Sequence, residues 1–138
     1  MSKTETVSGG VFDGFEVIST YTRKQAIEDG FLADLSALFP DLVREAGFKA
    51  HTACTDALWG LIDAMPMPEG NDHKGRLWDV LFMAMRALKG AYVARQGDVG
   101  SRVPFRVILA PDEVELAIVL SHGDRGEPTI TIMLADED

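Results

Sequence analysis

Apolar positions recur at helical spacing in the first two thirds of the chain and at strand spacing in the last third. Leu35, Leu38, Phe39, Leu42, Val43 and Ala46 fall on one helix face. Pro40 removes an amide within that run. This predicts a first turn at Leu35–Phe39 and a helix entered at Pro40 and closed at Gly47. Cys54, Ala57, Leu58, Leu61, Ile62 and Met65 repeat the spacing, predicting an amphipathic helix over Thr52–Met65 that Pro66 and Pro68 end. Thr22-Arg-Lys-Gln25 has the form of a capping box and predicts a short helix, Thr22–Asp29, with Gly30 as its left-handed stop. From Arg76 to about Val93 the chain is apolar nearly all round, Trp78 included. It reads as the central helix, packed on more than one side. Pro66–Gly75 reads as a polar loop and Gln96–Ser101 as a glycine-containing linker.

Beyond the linker the period becomes that of a strand. Val103, Phe105, Val107 and Leu109 alternate with their neighbours, as do Val114, Leu116, Ile118 and Leu120, and then Ile130, Ile132 and Leu134. Ala-Pro-Asp-Glu113 and Ser-His-Gly-Asp-Arg-Gly-Glu-Pro128 supply turn chemistry between these runs. The expected architecture is α+β, with N-terminal helices packed on a C-terminal three-stranded antiparallel β-meander. Residues 1–14 read as a weakly ordered arm and 15–138 as a single domain, with a short β-like run at Phe15–Thr20. The last strand, Thr129–Leu134, is uncharged and close to the end of the chain. Read as an edge, it invites homodimerisation by strand pairing, with Ala-Asp-Glu-Asp138 as a gatekeeper.

Charge narrows the partners. The chain of 138 residues has 13 basic and 22 acidic side chains, a net charge of −9, and neither half is basic. General nucleic-acid binding needs clustered Lys and Arg, so direct binding to nucleic acid is not expected. An acidic protein instead suits docking on basic protein surfaces. Cys54 is the sole cysteine, which excludes an intramolecular disulfide and a thiolate metal cage. The polar N-terminus lacks a signal-peptide pattern, and Asp79, Arg86 and Lys89 interrupt the most apolar helix. A cytoplasmic protein without membrane spans is expected.

Candidate chemistry is sparse. His122, Asp124, Arg125 and Glu127 cluster in one turn and form a candidate acid–base or anion-binding group. The same residues are ordinary turn formers, and the connecting role is preferred. His51 lies one helical turn from Thr55 with Asp56 beside them, a candidate base and orienter that reads better as a first-turn residue. Cys54 sits on an apolar stripe and reads as a buried hydrophobe, while His73 has no visible partner. Trp59 lies at the edge of its stripe, either sealing the core or anchoring a partner surface with Asp56 and Asp63. No dinucleotide, P-loop, zinc-protease, EF-hand or nucleophile-elbow string occurs, and no cofactor or metal is expected.

Four strings together resemble a family of small uncharacterised bacterial proteins often carried on plasmids and phages. They are Val-Ile-Ser-Thr-Tyr-Thr-Arg-Lys-Gln-Ala-Ile-Glu-Asp-Gly30, Arg-Glu-Ala-Gly-Phe48, Gly-Arg-Leu-Trp-Asp-Val-Leu-Phe-Met83 and Asp-Arg-Gly-Glu-Pro-Thr-Ile-Thr-Ile-Met-Leu134. The resemblance runs from about Glu16 to the C-terminus and implies a setting, with no catalytic residues to transfer. Two departures stand out: Ala37–Val43 looks like extra sequence, and Lys-Ala-His-Thr-Ala-Cys-Thr55 replaces a more usual Pro-containing start of the next helix. The expected function is that of a non-enzymatic acidic binding protein of a mobile genetic element, engaging a host or element protein with a basic surface. Its sharper form is an inhibitor of a bacterial defence system, anti-CRISPR-like, occupying a basic nucleic-acid groove. The alternatives are a small enzyme or small-molecule binder using His122–Glu127 with His51 or Arg106, and a plasmid or phage maintenance accessory protein.

Overall fold

The computed structural model describes residues 22–64, 73–109 and 112–137. The expected arm at 1–14 and the β-like run at Phe15–Thr20 lie outside these residues. The architecture is α+β, and its sheet is larger than expected. Helix α1 (Arg23–Glu28) leads to strand β1 (Leu32–Asp34), then α2 (Leu35–Leu38), α3 (Pro40–Ala46), β2 (His51–Thr55), α4 (Asp56–Ala64) and α5 (His73–Ala94). Strands β3 (Arg102–Leu109), β4 (Asp112–His122) and β5 (Pro128–Leu134) follow. They form one five-stranded mixed sheet in the order β1-β2-β5-β4-β3.

The predicted meander is present as β3-β4-β5, antiparallel throughout, and the N-terminal half extends it. Strand β2 adds parallel to β5, pairing His51 with Thr129 and Cys54 with Ile132, and β1 adds antiparallel to β2. The expected helix over Thr52–Met65 is therefore corrected. Its first residues are a strand, and only Asp56–Ala64 is helical. Thr52 and Cys54 alternate into the core as strand residues, and Thr55 begins α4, its hydroxyl accepting from the Leu58 N–H at 3.3 Å. A second correction concerns Thr129–Leu134. This strand lies at the centre of the sheet, bonded on both sides, and offers no edge for a second chain.

The local signals at the other helix ends hold. Thr22 and Gln25 make the reciprocal capping box, and Gly30 follows α1 at φ 84°. Pro40 stands at the first position of α3, and Gly47 closes it at φ 104°. Asp34 caps α2 by accepting from the Ala37 N–H at 3.0 Å. The core lies between one sheet face and the helices after β1, with Leu35, Leu58, Ile62, Leu77, Leu81, Leu116, Ile118 and Ile132 among its fully buried side chains.

Helix α5 departs from expectation. Leu77, Val80, Leu81 and Ala84 are buried, but Phe82, Met83, Tyr92 and Val93 are exposed. Trp78, expected in the core, is half-buried beside Phe82, with ring centroids 6.0 Å apart. The helix covers one face of the sheet, and among the described residues its far side has nothing apolar to pack on. It also starts at His73, inside the expected loop. Among the described residues no helix is long and apolar enough to cross a membrane.

The C-terminal residues act as a clasp. The Glu137 carboxylate accepts from the Thr55 hydroxyl at 2.6 Å and from the Leu134 N–H at 2.9 Å. The Arg102 guanidinium donates to the carbonyls of Ala135 and Glu137, at 2.8 and 3.0 Å. Leu134 extends past the end of the β2 pairing, and the carboxylate supplies the acceptor its amide would otherwise lack.

Candidate functional site

Polar side chains converge where α1, β1, β2 and the β4–β5 turn meet. Strand β2 carries His51 and Ala53 on the sheet face opposite Thr52 and Cys54, because side chains alternate. Asp34 of β1 pairs with Ala53 and shares that face, as does Thr131 of β5, also paired with Ala53. The capped first turn of α1 directs Arg23 onto β2 and β5. Its Nε donates to His51 Nδ1 at 2.9 Å, Nη1 to the Thr131 hydroxyl at 2.6 Å and Nη2 to the Ile130 carbonyl at 2.8 Å.

These contacts settle the imidazole. Arginine nitrogens only donate, so His51 Nδ1 is the acceptor and Nε2 carries the proton. That proton points at Asp34 Oδ1, 2.9 Å away. The same carboxylate oxygen accepts from the Ala37 amide, so one aspartate both caps α2 and orients the histidine. Burial lowers the pKa of Arg23 from its ordinary value, against the opposing pull of Asp34, Asp124 and Glu127. The guanidinium starts so high that it stays charged.

The β4–β5 turn closes the cluster. Asp124 accepts from the Arg23 N–H at 2.9 Å through Oδ1 and from the Lys24 N–H at 3.2 Å through Oδ2. These are first-turn amides of α1, which have no partner within their own helix. Glu127 accepts from the Arg125 N–H at 2.9 Å, and its carbonyl from the Gly123 N–H at 2.6 Å. Arg23, Lys24, Asp34, His51, Asp124 and Glu127 line one open cavity of about 350 Å³.

The chemistry open to this arrangement is limited. A general base needs a ring nitrogen within reach of a substrate proton. Both nitrogens of His51 are occupied by internal partners, and both oxygens of Asp124 hold backbone amides. Among the described residues no three or more His, Cys, Asp or Glu side chains are placed to hold a metal ion. Cys54 is fully buried. Desolvation, with smaller contributions from Asp56 and Glu137, pushes its thiol up to about 12, far from a reactive thiolate.

The predicted site residues are thus dispersed. Asp124 and Glu127 join His51, whereas His122 and Arg125 are exposed in the turn outside the Arg23 network. His51 does not sit in a helix beside Asp56; its carboxylate partner is Asp34. Arg106 lies on β3, beyond β5 and β4 from β2, beside Glu113 and Glu115 at 3.7 and 3.4 Å. Trp59 is half-buried and packs on Phe39, with ring centroids 5.7 Å apart, so the Ala37–Val43 segment supplies its aromatic neighbour. Asp56 and Asp63 are exposed on α4, two turns apart on one side. His73 is the first residue of α5. Sequence reasoning missed Arg23 and the capping role of Asp34. The aspartate was findable, as an Asp directly before an apolar helical run. No local signal marks Arg23, because its partners lie 28 and 108 positions away.

Residues 9–138 match the model of a family of unknown function, DUF6573. No curated protein and no solved structure matches the chain.

Proposed function

The chain belongs to the DUF6573 family, and we propose that it works by contact, as a non-enzymatic acidic protein that docks on a basic protein surface. The observation carrying this reading is the occupancy of His51. The best-placed titratable group has both ring nitrogens engaged by Arg23 and Asp34, so the polar cluster braces the fold. The net charge of −9 supports a basic partner. The docking surface in this reading is the outer side of α4, where Asp56 and Asp63 flank Trp59, with the turn residues His122, Asp124, Arg125 and Glu127 as a second patch. In its sharper form the protein belongs to a mobile genetic element and inhibits a host defence system by occupying a basic nucleic-acid groove. A maintenance role in the same setting would use the same surface.

The small-molecule alternative is supported by the cavity shared by His51, Asp124 and Glu127. A ligand there would have to displace hydrogen bonds the fold already uses. Capture of partners by the tagged chain in rising salt tests the proposal. A basic partner retained at low salt, released at high salt and lost with Asp56→Lys/Asp63→Lys supports docking through α4. Capture indifferent to salt and to this charge reversal would overturn it. Loss of function with Lys24→Ala, which lines that cavity and lies outside the docking surface, at unchanged melting temperature would favour the alternative.

A further inference from the structure

Moving Thr129–Leu134 to the centre of the sheet leaves β3 as the long edge among the described residues. The Leu120 N–H donates to the Ser101 carbonyl at 2.9 Å, just outside the register that pairs Arg102 with Val119. Bonding alternates along an antiparallel ladder, so the odd-numbered residues of β3 bond to β4. The backbone groups of Arg102, Pro104, Arg106 and Ile108 therefore face away from the sheet. Pro104 has no N–H, which blunts one half of this edge. The other half keeps its donors and acceptors at Arg106 and Ile108.

That half is also apolar. Ile108 is 66% exposed, Phe82 45% and Met83 37%. A groove of about 360 Å³ between β3 and α5 is lined by Phe82, Met83, Val107 and Ile108, with Asp79 and Glu113 also against it. Among the described residues, the ion pairs of Arg106 are long, exposed contacts to Glu113 and Glu115, at 3.7 and 3.4 Å, worth little within one chain.

We infer that this edge is a dimer interface. Strand β3 pairs antiparallel with β3 of a second copy across a two-fold axis at Val107. The patch is self-complementary, as a two-fold interface requires: it carries donors and acceptors, an apolar centre and charges of both signs. The register follows from its residues. An axis at Arg106 would set two guanidiniums opposite each other, and an axis at Phe105 would place the donorless Pro104 against Arg106. An axis at Val107 pairs Arg106 with the partner subunit's Ile108 in both directions. It also brings Arg106 toward the partner subunit's Glu113, which neighbours that Ile108 in the next strand. On the helix side, Phe82 and Met83 of both copies close over the paired strands, and two five-stranded sheets become continuous.

Sedimentation of the full chain across a concentration series tests this. The expected result is a reversible species of twice 15.0 kDa. Ile108→Lys weakens it at least about tenfold without lowering the melting temperature measured at concentrations where both chains are monomeric. A mixture of Arg106→Cys and Ile108→Cys chains, oxidised, forms disulfide-linked dimers more readily than either variant alone. A chain that stays monomeric at every concentration, or a dimer indifferent to Ile108→Lys, overturns the interface. A dimer lost in Ile108→Lys but not cross-linked by the mixed cysteines overturns the axis at Val107.

Discussion

His51 and His122 illustrate how little residue type says about role. His51 accepts from Arg23 at one ring nitrogen and donates a hydrogen bond to Asp34 from the other. His51→Ala leaves Arg23 Nε and Asp34 short of partners at a partly buried site, and a loss of about 1–3 kcal/mol in chemical denaturation is expected. His122 is exposed at the end of β4, so His122→Ala should stay within about 0.5 kcal/mol of the parent. Cys54 gives a pH prediction. Its thiol ionises near 9.0 when unfolded and about 12 when folded. The unfolded chain therefore releases this proton first. The stability held by the neutral thiol is intact below pH 9.0 and is lost as pH rises toward 12. Cys54→Ala should flatten that part of the pH–stability curve, and thiol reagents should leave the folded protein unlabelled at neutral pH.

At the scale of elements, the joints are held by charged side chains reaching over long sequence distances. Asp124 ties the β4–β5 turn to the start of α1, and Glu137 ties the C-terminus to β2 and α4. Glu137→Ala removes an acceptor from the Thr55 hydroxyl and the Leu134 amide, and a loss of about 1–3 kcal/mol is expected. Glu137→Gln keeps a carbonyl oxygen there and should recover most of it. An equal loss in both variants would assign the effect to charge. The segment expected to be a gatekeeper is thus a structural tie, because a carboxylate beside an unpaired strand amide accepts from it.

Across the whole molecule, the residues before the meander supply two of the five strands as well as the helices. The meander shares its core and a strand pairing with them. Ile130 and Ile132 on β5 lie in one core cluster with Leu58 and Ile62 of α4, and β2 covers the free side of β5. A fragment of residues 96–138 exposes the apolar face of its three strands and should be unfolded by circular dichroism. A folded fragment would show the meander to be an independent unit.

What could be read without coordinates was whatever a few neighbouring residues decide. The capping box at Thr22, the start at Pro40, the stop at Gly47 and the alternation of β3, β4 and β5 are all of this kind, each set by local sterics and hydrogen bonding. Together they identify an α+β chain. Only the assembled molecule decided that His51–Thr55 is a strand. Cys54 suits the apolar stripe of α4 as well as a buried strand position, and the contest is won by hydrogen bonds to β5, some 78 residues away. The same long-range pairing put Thr129–Leu134 at the centre of the sheet and left β3 open. It also brought Arg23, Asp34, His51 and Asp124 together, since strand neighbours are chosen by the burial of the whole sheet face and leave no mark within any one segment.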